Sequence, residues 1–201
     1  MLKLKVLRKP VMMMIGMAIV WCSIYYLKSA YEVHHLSSTY LSKPFSNNML
    51  LITSAGQSTD TYILQDLANE LRFNNLFMPE ATPSDLTEIS SIVIVVGYSE
   101  IGLNLHDKKI DDECERVKTL IDEGVSQKLP LIVVYVGGKA RRNEETDALL
   151  TLSCEYANYI ITTNSGNYDQ FLTELAGKKE TPISCINSIN DLTKPLAAAF
   201  R

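Results

Sequence analysis

From residue 49 onward the chain alternates between short unbroken aliphatic runs and longer stretches whose apolar residues recur every three or four positions. The runs "MLLIT" (49–53), "SIVIVVG" (91–97), "LPLIVVYVGG" (129–138), "NYIITTN" (158–164) and "PISCIN" (182–187) read as strands, with "LFMPEA" (76–81) a weaker one. Helical patterns lie between them. Residues 59–72 place Ile63, Leu64, Leu67 and Leu71 on one face, and residues 111–127 do the same with Val117, Leu120, Ile121 and Val125. "TPSDLTEI" (82–89) reads as a short helix or turn. Residues 145–157 and 167–179 continue the helical series, with Gly177 near the end of the second, and residues 188–200 close the chain with a helix containing Pro195.

The strand runs lack polar alternation. A strand with one face in water alternates, whereas one covered on both faces does not. Such strands, each followed by a helix, predict a parallel sheet clothed by helices on both sides. The expected fold is a three-layer, doubly wound α/β sandwich of flavodoxin-like or Rossmann-like type. Ligands of such sheets bind beyond the carboxyl ends of the strands, where the winding reverses.

Ahead of residue 49 the pattern is different. Residues 1–10 hold Lys3, Lys5, Arg8 and Lys9 and no acid, while residues 11–27 hold no charge and are followed by Lys28. At about 1.5 Å per residue the uncharged stretch is just long enough to cross a hydrocarbon core. Trp21, Tyr25 and Tyr26 stand at its far end, where aromatic rings favour the interface. The segment reads as a transmembrane signal-anchor in the cell membrane. Its basic flank stays in the cytoplasm and the C-terminal bulk lies outside. A cleaved signal peptide and a buried core helix are the alternatives. Cleavage after Ala30 would put Lys28 where a small residue is needed, and Trp21 is too bulky to precede a lipidated Cys22. Residues 28–48, polar and serine-rich, read as a linker to a domain over residues 49–201.

Charge divides along the same line. Residues 1–28 carry five basic residues and no acid, and the remainder carries 14 basic against 23 acidic residues. A domain so acidic has little non-specific attraction for nucleic acid, so no nucleic-acid partner is expected. Cys114, Cys154 and Cys185 are scattered, without a CxxC pair, and read as small buried residues. His34 and His35 in the linker, with His106, offer no metal-like spacing. No metal is expected and no cofactor is indicated.

The polar residues collect at the strand ends. "SAGQSTD" follows the first strand, "GYSEIGLNLHDKKIDDE" the third, "GGKARRNEETD" the fourth and "TNSGNYD" the fifth. Gly56 with Gln57 and Ser58 serves either as a turn and helix cap or as a cradle in which helix N–H groups hold an anion. "GYSEIG" is one residue too long for a nucleophile elbow around Ser99. Asp111, Asp112 and Glu113 suit the first turn of a helix, and one of them could instead reach into the crevice and orient an arginine. Gly137 and Gly138 permit close approach of backbone to a ligand. Adjacent Arg141 and Arg142 point in different directions. One should face the crevice and the other pair with Glu113, Glu144 or Asp147; a purely structural network is the alternative. Gly166 makes the next turn, Asn167 caps the helix that follows, and Asn164 stands where a side chain can reach a ligand.

"ITSAGQS", "GLNLHDKKIDDECERVKTLI", "PLIVVYVGGKARRNEETD" and "ANYIITTNSGNYDQFLTEL" in that order resemble a bacterial family known as a domain of unknown function, number 6305. The resemblance spans about residues 49–199 and implies an exported or anchored α/β domain. It implies no activity. Here "NEET" follows "ARR" where that family has glycine and serine, and the loop after the third strand departs from its glycine-rich form. The leading expectation is a membrane-anchored extracytoplasmic domain binding a small polar or anionic ligand through Gly56, Gln57, Ser58, Gly137, Gly138, Arg141, Arg142 and Asn164. A hydrolase or transferase in the same crevice is a second, with Asp60, Asp111 or Asp169 as base and no assigned catalytic set. A protein-interaction module of an envelope complex is a third.

Overall fold

A computed structural model describes Met17, residues 19–24, Leu41, residues 44–45 and residues 49–200. The chain divides into two compact units, Met1–Leu36 and Ser37–Arg201. In the first, Met17 and residues 19–24 are helical and exposed, with the Ser23 hydroxyl donating to Ile19 O at 2.8 Å. No helix among the described residues is long and apolar enough to cross a membrane. Much of the segment read as an anchor, and the linker with His34 and His35 up to residue 40, lie outside the described residues.

The second unit is built on one six-stranded parallel sheet. Its strands are β1 (Leu50–Ala55), β2 (Asn75–Phe77), β3 (Ser91–Val96), β4 (Leu131–Tyr135), β5 (Tyr159–Thr163) and β6 (Ile183–Ile186). They lie in the order β2-β1-β3-β4-β5-β6, every pair parallel. The helices are α1 (Asp60–Glu70), α2 (Glu100–Asn104), α3 (Ile110–Ser126), α4 (Glu144–Cys154), α5 (Phe171–Gly177) and α6 (Thr193–Phe200). This is a flavodoxin-like order with a sixth strand added at the β5 edge.

The missing alternation in the strands follows from two separate cores. Leu51, Ile92, Ile94, Val96 and Val133 face one side, against Val117, Leu120 and Ile121 of α3 and Leu149 and Leu150 of α4. Leu50, Ile52, Val93, Val95, Ile132 and Val134 face the other, against Leu64 and Ala68 of α1 and Leu196 and Ala199 of α6. Successive residues of a strand point to opposite faces, and here both faces are apolar. Leu41 and Phe45, from the segment read as linker, pack on the second core, and Phe45 N donates to Ala199 O at 2.7 Å.

Three helical details differ from the periodicity. Ile63 is exposed, and the buried side of α1 runs through Thr61, Leu64 and Ala68. Adjacent Ile63 and Leu64 point about 100° apart, so both cannot centre the buried face. In α3 the buried stripe is Glu113, Val117, Leu120, Ile121 and Gly124, while Val125 faces solvent. Gly124 lets α3 approach the sheet closely: an added Cβ would stand 2.7 Å from Ile92 Cδ1, and that side chain would have to move. The helix expected from residue 167 starts at Phe171, because Asn167 turns back to accept from Leu172 N and Thr173 N. Pro195 is tolerated in the first turn of α6, where its missing N–H has no helical partner to lose.

Candidate functional site

The winding reverses between β1 and β3, so the loops leaving these strands diverge and open a crevice. Gly56 turns the chain out of β1 at φ 101°, and an added Cβ there would lie 2.5 Å from Gly97 O. Only glycine fits. Gln57 follows at φ 58° and bridges to Tyr98 across the crevice floor.

A buried ion pair holds this loop from behind. Glu113 is fully buried and accepts from Gly56 N at 2.8 Å and from Gln57 Nε2 at 3.0 Å. Arg116, one turn on, meets it with two hydrogen bonds of 2.8 Å. The same guanidinium donates to Ser54 O and Ala81 O, tying the end of β1 to the loop after β2. Burial pushes the Glu113 carboxyl upward, but the bonds and charge of Arg116, with the Gly56 and Gln57 amides, outweigh it. The carboxyl ends below its ordinary value. Glu113 thus orients an arginine, though not one of the adjacent pair after β4.

Ser58 and Asp60 begin α1. Ser58 Oγ accepts from Asp60 N at 3.4 Å and lies 2.7 Å from where a Cβ on Gly97 would stand, so Gly97 makes room for it. The positive end of α1 already has a carboxylate beside it, that of buried Asp60. Asp60 Oδ1 accepts from Arg141 Nη1 at 2.8 Å, while buried Oδ2 has no hydrogen-bond partner among the described residues.

The two arginines have different surroundings. The Arg142 side chain is 4% exposed and that of Arg141 49%. Arg142 donates to Asp147, Gly166 O and Asp169, and its guanidinium carbon stands 4.7 Å from the centre of the Phe171 ring. Burial lowers its pKa, and the bond to Asp147 with the nearby carboxylates more than reverses this, so it ends raised. Arg142 ties the loops after β4 and β5 together. Both arginines line the crevice, but only the Arg141 side chain is half-exposed there, the Arg142 head being committed to that tie. Thr146 sets this arrangement: its hydroxyl donates to Arg141 O at 3.1 Å and accepts from Tyr98 N at 3.3 Å, and its own N–H is capped by Asn143. The "NEET" departure therefore supplies a helix cap and a link between the loops after β3 and β4.

Gly137 and Gly138 shape the turn before the arginines. The Tyr135 hydroxyl donates to Gly138 O at 2.7 Å, and burial pushes its pKa up to about 12, which keeps the phenol a donor. Asn164 sits at the carboxyl end of β5, toward the β6 edge, where its Nδ2 donates to Asn187 Oδ1 at 2.8 Å, and it lines neither cavity at the crevice.

Those two cavities adjoin. One, of about 300 Å3, is lined by Ser58, Thr59, Tyr98, Ser99, Arg141 and Asn143 among others. The second, of about 410 Å3, shares Ser58, Thr59 and Ser99 with the first and runs between α1 and α2. His106 stands on its wall with Nδ1 2.8 Å from Glu80 Oε1, and Lys108 pairs with the other Glu80 oxygen. Ser99 Oγ caps α2 by accepting from Gly102 N at 3.0 Å.

A family model matches residues 47–200. The chain belongs to the family described as a domain of unknown function, DUF6305. No curated protein matches it. Among solved structures, a GDSL-like lipase (BT0569) from Bacteroides thetaiotaomicron VPI-5482 is similar at 12% identity, over 80% of this chain and 77% of that chain, with a TM-score of 0.36. A variant of esterase AlinE4 is similar at 14% identity, over 71% of this chain and 77% of that chain, with a TM-score of 0.29. Likenesses this distant carry no statement about activity.

In this family member the crevice residues differ in how visible they were. Gly56, Gln57, Ser58 and Arg141 stand at strand ends that the periodicity marks. Glu113 carried a signal in its register, four residues before Val117 and seven before Leu120, on the stripe that α3 buries. Tyr98 shares the strand-end position, after β3, while Glu80 carried no signal, because it reaches the crevice only through the pairing of distant loops.

Proposed function

We propose that this protein is a membrane-anchored, extracytoplasmic binding domain whose crevice takes a small polar ligand through an oxyanion, a carboxylate in the simplest case. The observation that carries this reading is Arg141: a half-exposed side chain with one guanidinium N–H on Asp60, lining the cavity that Ser58, Tyr98 and Ser99 also line. Asp60 offsets the single charge of Arg141, so a dianion would meet no surplus positive charge and the site suits a monoanion better. Gly56, Gln57, Gly137, Gly138 and Arg142 give the crevice its shape. The uncharged residues 11–27 would be the anchor, with the basic residues before them in the cytoplasm.

Truncating Arg141 alone would leave Asp60 buried and uncompensated, so the test changes both partners. In calorimetric or NMR titrations of the full-length chain with acetate and inorganic phosphate, Asp60→Asn should tighten binding severalfold, because it frees the arginine's charge. Adding Arg141→Gln to that background should weaken binding by about tenfold or more. Equal affinity in all three proteins would remove the anion site.

One observation favours a second reading, a hydrolase in the same crevice. If Nδ1 of His106 donates its proton to Glu80, Nε2 is left as an acceptor, the state a general base requires, in the groove that Ser58 and Ser99 also line. A fluorophosphonate probe distinguishes the two. Labelling of Ser58 or Ser99 that His106→Gln abolishes would make the protein an enzyme; an unlabelled chain that still binds carboxylates would leave the binding domain.

A further inference from the structure

We infer that the ligand is amphipathic: an oxyanion carried on an apolar chain or ring, its charged end at Arg141 and its apolar part in the groove between α1 and α2. This rests on the binding reading above and names the class of ligand. Three large apolar side chains line that groove and are open to water: Tyr62 at 55% exposure, Ile101 at 77% and Leu105 at 79%. A single exposed apolar residue is ordinary on any protein surface. Here Ile101 and Leu105, four positions apart at α2, converge with Tyr62 of α1 on one concavity. That concavity is continuous with the polar cavity through Ser58, Thr59 and Ser99, so one molecule can occupy both.

Size and charge point to a small molecule. A groove of about 410 Å3 is within the usual range for small-molecule sites. The positive end is Arg141. Glu80 on the opposite wall is already taken up by His106 and Lys108, so the apolar part meets no unpaired carboxylate there.

The test is a titration of the full-length chain with the straight-chain carboxylates acetate, butyrate, hexanoate and octanoate, read by NMR or calorimetry. Affinity should rise with length by about two- to fourfold per methylene until the groove is filled. The double variant Ile101→Ser/Leu105→Ser, which changes side chains that are mostly in water, should flatten that dependence. Acetate binding with no gain along the series would overturn the amphipathic class and leave the anion site standing. No binding by any member would overturn both. A length dependence that persists in the double variant would overturn the placement in this groove. A change of oligomeric state in the double variant without any change in carboxylate binding would mean that the groove is covered by another protein surface.

Discussion

Glu113→Gln should cost the domain about 3–5 kcal/mol. The substitution keeps the shape and removes the charge. Arg116 is then left with a buried, uncompensated guanidinium beside Ser54 O and Ala81 O. The new amide cannot offer two acceptor oxygens, so the two hydrogen bonds from Arg116 and those from Gly56 N and Gln57 Nε2 cannot all be kept. Denaturant melts would read this as a lower midpoint at unchanged slope. A loss below about 1 kcal/mol would mean that water reaches Arg116 and that the pair is not the clamp its burial indicates.

The same residue sets part of the acid limb. The folded domain holds the Glu113 carboxyl below its ordinary value of 4.5, so the unfolded chain takes up this proton first as pH falls. Its contribution to stability is complete above that value, declines below it, and is gone once the folded carboxyl protonates. Stability measured against pH should therefore fall more steeply below pH 4.5 in the parent chain than in Glu113→Gln.

Arg142→Met should cost about 2–3 kcal/mol. Methionine keeps most of the stem and removes the head, together with its contact to the Phe171 ring. Gly166 O loses its donor, and Asp147 and Asp169 lose their common partner. Both carboxylates are more than a third exposed, so solvent screens part of that loss and the expected effect is smaller than for Glu113. The loops after β4 and β5 should loosen together, seen as faster amide exchange at residues 137–142 and 164–169. Arg142→Met melting like the parent chain would show that the tie is not stabilising. Faster exchange in only one loop would show that the two loops are held independently.

Much of the fold was legible because its causes are local. A run of about five aliphatic residues with no polar alternation, bounded by turn residues and rich in β-branched side chains, suits a strand covered on both faces, and a repeat of three and four a helix with one face covered. These periods placed the six strands, the main helices and the strand ends at which glycines and polar residues collect. They were less able to say which of two adjacent apolar residues is central: Leu64 rather than Ile63, and Gly124 rather than Val125. That choice depends on the rotation of a helix against its sheet. The short α2 lay hidden in a polar loop, since five residues are too few for a period to register.

The sequence by itself determined a doubly wound α/β domain, a crevice at the carboxyl ends of its strands, and a dense positive charge beside it. Only the tertiary structure decided which arginine is half-exposed in the crevice. Arg141 finds Asp60 across 81 residues, and Arg142 finds Asp169 across 27. Likewise only the fold brings Glu80 to His106 and turns Glu113 inward to Arg116. A side chain's reach is a few ångströms, so its partner is set by which loops the sheet order makes neighbours. No local pattern in the chain contains that order.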